Sequence, residues 1–281
     1  MGEKIKIALE WAVAQFCHIS DAPKLEAELL LAHCCDKPRS FLYTWPDQQL
    51  SANAWRCFQA LVAKRLAPTP LAYLLGEREF FSLNFKTTPA ALIPRAETEL
   101  LVEMVLDLCP QRSALRILEL GTGTGAIATS VKAHRPDIAL VATDISPACL
   151  ILARQNADRH QVTADWVASD WFSALAADQA FDMIVSNPPY IARNDPHLLQ
   201  GDLPAEPMLA LSPGATGLEA IEQIIANAPD YLKPGGYLLL EHGYNQQTEV
   251  ARLMSKHGFA EIVCKRDANH QPRVSSAQLG V

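Results

Sequence analysis

Apolar and polar positions follow three different rhythms along the chain. In residues 4–66, "IKIALEWAVAQF" and "KLEAELLLAHCC" repeat apolar side chains at i, i+3 and i+4, the signature of helices with one buried face. The second follows "SDAP", a capping residue and a proline at the first turn. "FLYTW" stops at Pro46, and "SANAWRCFQALVAKRLA" opens on a serine cap and closes before "PTP". Residues 1–70 therefore form a helical bundle, and with no residue suited to chemistry they are best read as an interaction module. Aromatic and β-branched residues alternate with polar ones over 73–95, which predicts a short β-hairpin in a linker spanning 71–97. From residue 98 to 281 the rhythm changes again. Helices at 98–109, 125–135, 147–158, 216–232 and 244–257 alternate with the strands "LRILEL", "IALVATD", "VTADWVAS", "FDMIVS", "GYLLLEH", "FAEIVCK" and "RVSSAQL". Strands separated by helices of 10–15 residues mean right-handed crossovers. The expected fold class is α/β, a doubly wound, mostly parallel seven-stranded sheet. Only a short polar loop joins the last two strands, so these pair antiparallel.

Composition narrows the class. The 281 residues are 49% hydrophobic and 20% charged, as in ordinary globular proteins. No apolar run approaches the roughly 20 residues of a membrane helix, and the N-terminus is expected to be neither a signal peptide nor an acylation site. Seven cysteines without a C-x-x-C pair argue against a disulfide framework or a zinc site and fit a reducing cytosol. Net charge is −7: residues 1–70 carry +1 and the remainder −8. An acidic main domain disfavours a sequence-independent grip on nucleic acid.

Two motifs carry chemistry. "ELGTGTGAIA" (119–128) follows the first sheet strand and opens a helix. Gly121, Gly123 and Gly125, with Thr122 and Thr124 between them, permit a tight turn and a close approach to the helix N-terminus. Asp144 ends the next strand, where a carboxylate can accept both hydroxyls of a ribose. Gly121, Gly123 and Ala126 also satisfy G-x-G-x-x-A, so a dinucleotide is allowed. Glu119, two places before the first glycine, and "LKPGG" before a later strand resemble instead the class I S-adenosylmethionine-dependent methyltransferases. The second motif, "SNPPY" (186–190), closes the fourth strand. Pro188 and Pro189 fix the backbone and remove two donors. The Asn187 side-chain oxygen and the Pro188 carbonyl could then take the two hydrogens of a planar NH2 group, with Tyr190 packed on its face. Holding both hydrogens steers the nitrogen lone pair toward a methyl donor and stabilises positive charge developing there.

N-P-P-Y is shared by methyltransferases that act on adenine N6, on guanine N2 and on glutamine. "YLLGEREF" (73–80), "IPRAETE" (93–99), "LELGTGTGAIA", "SNPPYI", "EPMLAL" (206–211), "LKPGGYLLLEHG" and Asp267 with Arg273-Val274 occur in the order found in one family. Over nearly its full length the chain resembles the bacterial protein-(glutamine-N5) methyltransferases that modify peptide chain release factors. The resemblance implies a cytoplasmic enzyme that moves a methyl group from S-adenosyl-L-methionine to the glutamine of a Gly-Gly-Gln tip, yielding S-adenosyl-L-homocysteine. It implies that the helical domain helps to dock the release factor, with neither nucleic acid nor membrane as a direct partner. It places cofactor contacts on Gly121 through Gly125, Asp144, Trp171 and Asn187, and substrate contacts on Asn187 through Tyr190. Arg95, Glu97 and Thr98 become wall residues, and no metal is implied. The Trp171 ring also suits an adenine face physically. Two departures stand out: Ala96 replaces a common proline, and "DANHQPRV" (267–274) lacks a common glycine. His242, at a strand end near the site, reads as a satisfied core or rim histidine. The rival readings are a nucleic-acid amino-methyltransferase, an idle module whose bundle does the work, and a nicotinamide-dependent dehydrogenase.

Overall fold

A computed structural model describes residues 3–67, 69–109, 114–176 and 180–280. Met1 and Gly2, where the acylation reading falls, and Pro68 of "PTP" lie outside them. The chain divides into two compact units, one of Met1–Glu77 with Leu199–Ala205, the other of Arg78–Leu198 with Glu206–Val281.

The smaller unit contains α1 (Ile5–Phe16), α2 (Pro23–Cys35), α3 (Arg39–Thr44), α4 (Ala52–Leu66) and α5 (Leu71–Leu75). Their apolar stripes meet in a core with Phe16, Leu30, Leu31, Phe58 and Val62 at its centre. Trp11 and Trp55 pack edge to face at 5.3 Å. Local chemistry ends the helices: Pro23 begins α2, Asp36 at φ 51 stops it, and Ser51 caps α4 by accepting the Ala54 N–H at 3.1 Å. Buried Arg65 pairs with Glu26 (2.8 Å) and with Asp202 (3.2 Å), which anchors Leu199–Ala205 in this unit.

Strands β1 (Glu77–Phe80) and β2 (Leu83–Lys86) make the hairpin. Its two turn residues, Phe81 and Ser82, both take positive φ (50° and 62°), as a two-residue hairpin turn requires. The alternation predicts extended chain from residue 73. Residues 71–75 are helical instead, because Gly76 at φ 76 caps α5 and only then lets the chain extend.

In the larger unit follow α6 (Glu99–Leu108), β3 (Arg116–Leu120), α7 (Ala126–His134), β4 (Ala139–Asp144), α8 (Pro147–Arg159), β5 (Asp165–Ala168) and β6 (Phe181–Ser186). Then come α9 (Met208–Leu211), α10 (Glu219–Asn227), β7 (Leu232–Glu241), α11 (Gln247–Lys256), β8 (Phe259–Arg266) and β9 (Pro272–Leu279). The seven-stranded sheet has the order β5-β4-β3-β6-β7-β9-β8. All its pairs are parallel except those made by β9, which runs antiparallel to both β7 and β8. One face packs on α6, α7 and the hairpin phenylalanines Phe80 and Phe85; the other packs on α10 and α11. Two expected elements shift. α10 starts at Glu219, because that side chain accepts the Thr216 and Gly217 N–H groups and so closes the preceding turn. Pro229 then converts its end to a 3-10 turn. β7 begins at Leu232 and absorbs "KPGG" as an irregularity, since Phe181 pairs with Leu232 and Met183 already with Tyr237. Among the described residues no helix is long and apolar enough to cross a membrane.

Strand order reverses between β3 and β6, and their register pairs Leu120 with Ser186. The glycine loop and Asn187 therefore leave the sheet side by side, at the carboxyl ends where doubly wound sheets hold ligands.

Candidate active site

A cavity of about 410 Å³ opens at this switch point, entirely within the larger unit. Gly121, Thr122, Gly123, Thr124, Asp144, Trp171, Asn187 and Pro189 contribute to its wall, as do Arg95 and Thr98. Gly125, Glu97, Pro188 and Tyr190 are not part of that wall.

The glycine loop is held from behind by an acid. Glu119 is buried on β3, and its Oε2 accepts the Thr122 hydroxyl (2.8 Å) and the Ala128 N–H (3.0 Å), tying the loop to the start of α7. Burial drives this carboxyl up to about 8, with the Asp144 charge adding to the shift and the two hydrogen bonds opposing it. Gly123 and Gly125 both take positive φ (55° and 77°) but for different ends. A Cβ on Gly123 would meet nothing within 4 Å, so this backbone lies open to an approaching ligand. A Cβ on Gly125 would lie 2.9 Å from Ala153 Cβ, so that glycine serves the packing of α7 on α8.

Asp144 ends β4 with one carboxylate oxygen accepting Gly123 N–H and the other Ser146 N–H, both at 2.8 Å. Each oxygen keeps a lone pair, which suits two vicinal hydroxyls. Burial raises its pKa while those N–H groups draw it back. Trp171, at φ 48, has its carbonyl fixed by the Ser169 hydroxyl (2.8 Å), and its ring lies 3.6 Å from where a Gly121 Cβ would sit. A flat apolar wall thus adjoins the loop. Asn156 had no sequence signal, yet its buried amide ties the loop to the hairpin: Nδ2 donates to the Thr124 and Lys86 carbonyls, and Oδ1 accepts the Lys86 N–H.

Asn187 begins the second motif. Its Nδ2 donates to Thr98 Oγ1 at 3.0 Å, which leaves Oδ1 as the end of the amide able to accept. Tyr190 turns its hydroxyl to Glu241 Oε1 (3.2 Å), while its carbonyl accepts from Gln246 Nε2 (2.9 Å). The Tyr190 ring, expected against the planar group, packs with the core that backs β7. Arg95 pairs with Glu206, which also accepts the Ile93 N–H at 2.9 Å. Glu206 stood in the quoted "EPMLAL" with no role given to it, and Glu241 showed only as an acid closing an apolar run. His242 is fully buried with both nitrogens engaged, Nδ1 by the Gly243 carbonyl and Nε2 by Ser275 Oγ (2.8 Å). Both sequence departures are accommodated. Ala96 opens a 3-10 turn (Ala96–Thr98), and His270 takes the positive φ (59°) that a glycine would adopt freely.

A vicinal-hydroxyl acceptor, an open glycine backbone, an aromatic wall and a fixed amide acceptor together fit S-adenosyl-L-methionine beside a planar NH2 group. The fold agrees: the larger part of the chain superposes on a methyltransferase from Pyrococcus furiosus with a TM-score of 0.54 at 18% identity, covering 79% of this chain and 98% of that one. The protein has the class I methyltransferase fold. The family models "PrmC N-terminal domain" and "Methyltransferase small domain" match residues 8–76 and 96–200. The release factor glutamine methyltransferase of Vibrio cholerae is 43% identical over 99% of this chain and 98% of its own, and that of Coxiella burnetii 43% over 98% and 99%. The chain belongs to the release factor glutamine methyltransferase family.

Proposed function

We propose that this protein methylates the side-chain N5 of the glutamine in the Gly-Gly-Gln tip of peptide chain release factors. The observation that carries the reading is the fixed Asn187 amide at the cavity wall, its Nδ2 bound to Thr98 and its Oδ1 left to accept. When bound, S-adenosyl-L-methionine supplies an electrophilic methyl group on sulfur and leaves as S-adenosyl-L-homocysteine. Asp144 takes the two ribose hydroxyls, Trp171 offers an adenine face, and the loop from Gly121 through Gly125 gives the backbone approach. Asn187 Oδ1 and the Pro188 carbonyl each accept one N–H of the glutamine amide. The amide plane is then fixed, and positive charge appearing on nitrogen meets two acceptor dipoles already in place. Pro189 and Tyr190 hold these acceptors rigid, while Arg95, Glu97 and Thr98 shape the entrance. No general base is required before transfer, and the methylated nitrogen sheds its surplus proton to water afterwards. The helical unit docks the body of the release factor, and the protein works in the cytosol, where these factors act.

The test offers purified release factor and S-adenosylmethionine to the enzyme and reads the tryptic tip peptide by mass spectrometry. One added methyl is expected on Gly-Gly-Gln. Almost none is expected on a Gly-Gly-Asn variant, whose nitrogen is withdrawn by one methylene, because a misplacement of about 1 Å can cost roughly 10²-fold. Methyl incorporation into DNA or RNA at equal concentration, with an unmodified tip, would hand the site to nucleic-acid amino-methylation.

A further inference from the structure

Two contacts fix the register of α2 against α4 in the smaller unit. Glu26 of α2 pairs with Arg65 of α4 at 2.8 Å. Eight residues further along α2 and eight residues back along α4, the Cys34 thiol donates to the Cys57 sulfur at 3.0 Å. The two helices are therefore antiparallel, with the contacts spaced about 12 Å along each axis at 1.5 Å per residue. Leu30 and Leu31 of α2 join Phe58 and Val62 of α4 in one core. An ion pair and a packed core thus hold the two sulfurs against each other.

Both are free thiols, Cys57 exposed and Cys34 half-buried. A disulfide needs its sulfurs about 2.05 Å apart, so closing this pair takes an approach of about 1 Å. Cys35 is the obvious competitor for Cys34, but adjacent side chains on a helix point to different faces. A Cys34–Cys35 bond would unwind the end of α2; a Cys34–Cys57 bond leaves both helices whole.

We propose that Cys34 and Cys57 form a reversible redox modification site, a dithiol that closes to an α2–α4 disulfide by exchange with a low-molecular-weight disulfide such as oxidised glutathione. The exposed Cys57 thiolate attacks one sulfur of the reagent, forms a mixed disulfide and expels the first glutathione thiolate. The Cys34 sulfur then attacks the Cys57 sulfur and expels the second. Two protein thiols are oxidised by two electrons, the reagent is reduced to two thiols, and the two cysteine protons end on them. Burial, with the Cys57 sulfur adding to it, raises the Cys34 thiol above its ordinary range. Cys34 is accordingly the resolving cysteine, and a slow leaving group when an external thiol reopens the bond at Cys57. In a reducing compartment the pair stays open, and a rise in small disulfides closes it.

The experiment incubates the full-length protein with glutathione disulfide, once native and once in urea. Remaining thiols are alkylated after an acid quench, and unreduced tryptic peptides are mapped by mass spectrometry. The native protein should give one dominant link, between the peptides 25–39 and 57–64, lighter by two hydrogens and removed by dithiothreitol. In urea the pairing should scatter over the seven cysteines. Cys35→Ala should keep the link at wild-type yield, whereas Cys34→Ser should stop with glutathione retained on Cys57. The closed form should melt about 5 °C above the open one, because the bond restricts the unfolded chain. The proposal is overturned if native Cys57 takes up glutathione yet no link follows, or if the native yield does not exceed that in urea. A link that survives Cys34→Ser, or one lost with Cys35→Ala in a folded protein, overturns it equally, as does a closed form that melts lower. The wild-type map needs no substitution, so a variant that fails to fold leaves the decision intact.

Discussion

The loops after β3 and β6 leave the sheet as neighbours, yet they are built in opposite ways. The first has three glycines at positive φ, of which Gly123 leaves the outer surface bare and Gly125 makes room for α8. The second follows Asn187 with two prolines, which clear N–H groups instead and hold carbonyls in place. A cofactor brings many polar atoms of its own and needs room and donors, so an open backbone serves it. A poorly nucleophilic amide needs two acceptors in one fixed orientation, so rigidity serves it. Each loop is backed by a buried carboxyl, Glu119 of its own strand behind the glycines and Glu241 of the neighbouring β7 behind the prolines, and burial pushes both above the ordinary carboxylate range. On the proposed function, the contrast teaches that one sheet edge can separate binding from orientation by choosing which backbone atoms to expose.

That separation can be broken experimentally, most sharply at the proline loop. Asn187→Ala removes an orienting acceptor, so single-turnover methylation should drop on the order of 10²-fold or more while cofactor affinity changes little. Turnover within a few-fold of wild type would dissolve the distinction between the loops. At the glycine side, Asp144→Ala should weaken S-adenosylmethionine binding by about 2–3 kcal/mol, because hydrogen bonds to a charged acceptor exceed neutral ones. Calorimetric titration reads it, and an unchanged Kd would remove Asp144 from the ribose site. The smallest effect sharpens the contrast within the glycine loop itself. Gly125→Ala forces a methyl group to 2.9 Å from Ala153 at φ 77, so we expect a stability loss of about 1–3 kcal/mol. Denaturant unfolding would report it, with the affinity of the folded fraction preserved, since Gly125 serves the helix pair and lies outside the cavity wall. A large affinity loss in a fully folded variant would return Gly125 to the ligand's side.

Most of this architecture is legible in the sequence, because periodicity and punctuation act locally. The 3.6-residue stripes announced α1, α2 and α4, and Ser51 capped the last as its position suggested. Strands alternating with helices implied the parallel sheet, and the short loop at 267–271 implied the antiparallel end. Misplaced boundaries had local causes acting against the broad pattern: Gly76 behind a short helix, Glu219 closing a turn, and "KPGG" folded into β7.

The motifs "ELGTGTGAIA" and "NPPY", with Asp144 between them, are sequence-determined in a strong sense. Glycine φ freedom, proline rigidity and a carboxylate at a strand end are properties of the residues themselves. What the sequence could not decide is who stands behind them. Asn156 lies 32 residues from Thr124, Thr98 lies 89 from Asn187, and Glu206 lies 111 from Arg95. Tyr190 and Glu241 are 51 residues apart. A hydrogen bond acts over about 3 Å of space and leaves no mark on chain separation. Only tertiary packing brings these partners together, with β7 alongside β6 placing Glu241 at Tyr190 and α8 against the glycine loop placing Asn156 at Thr124.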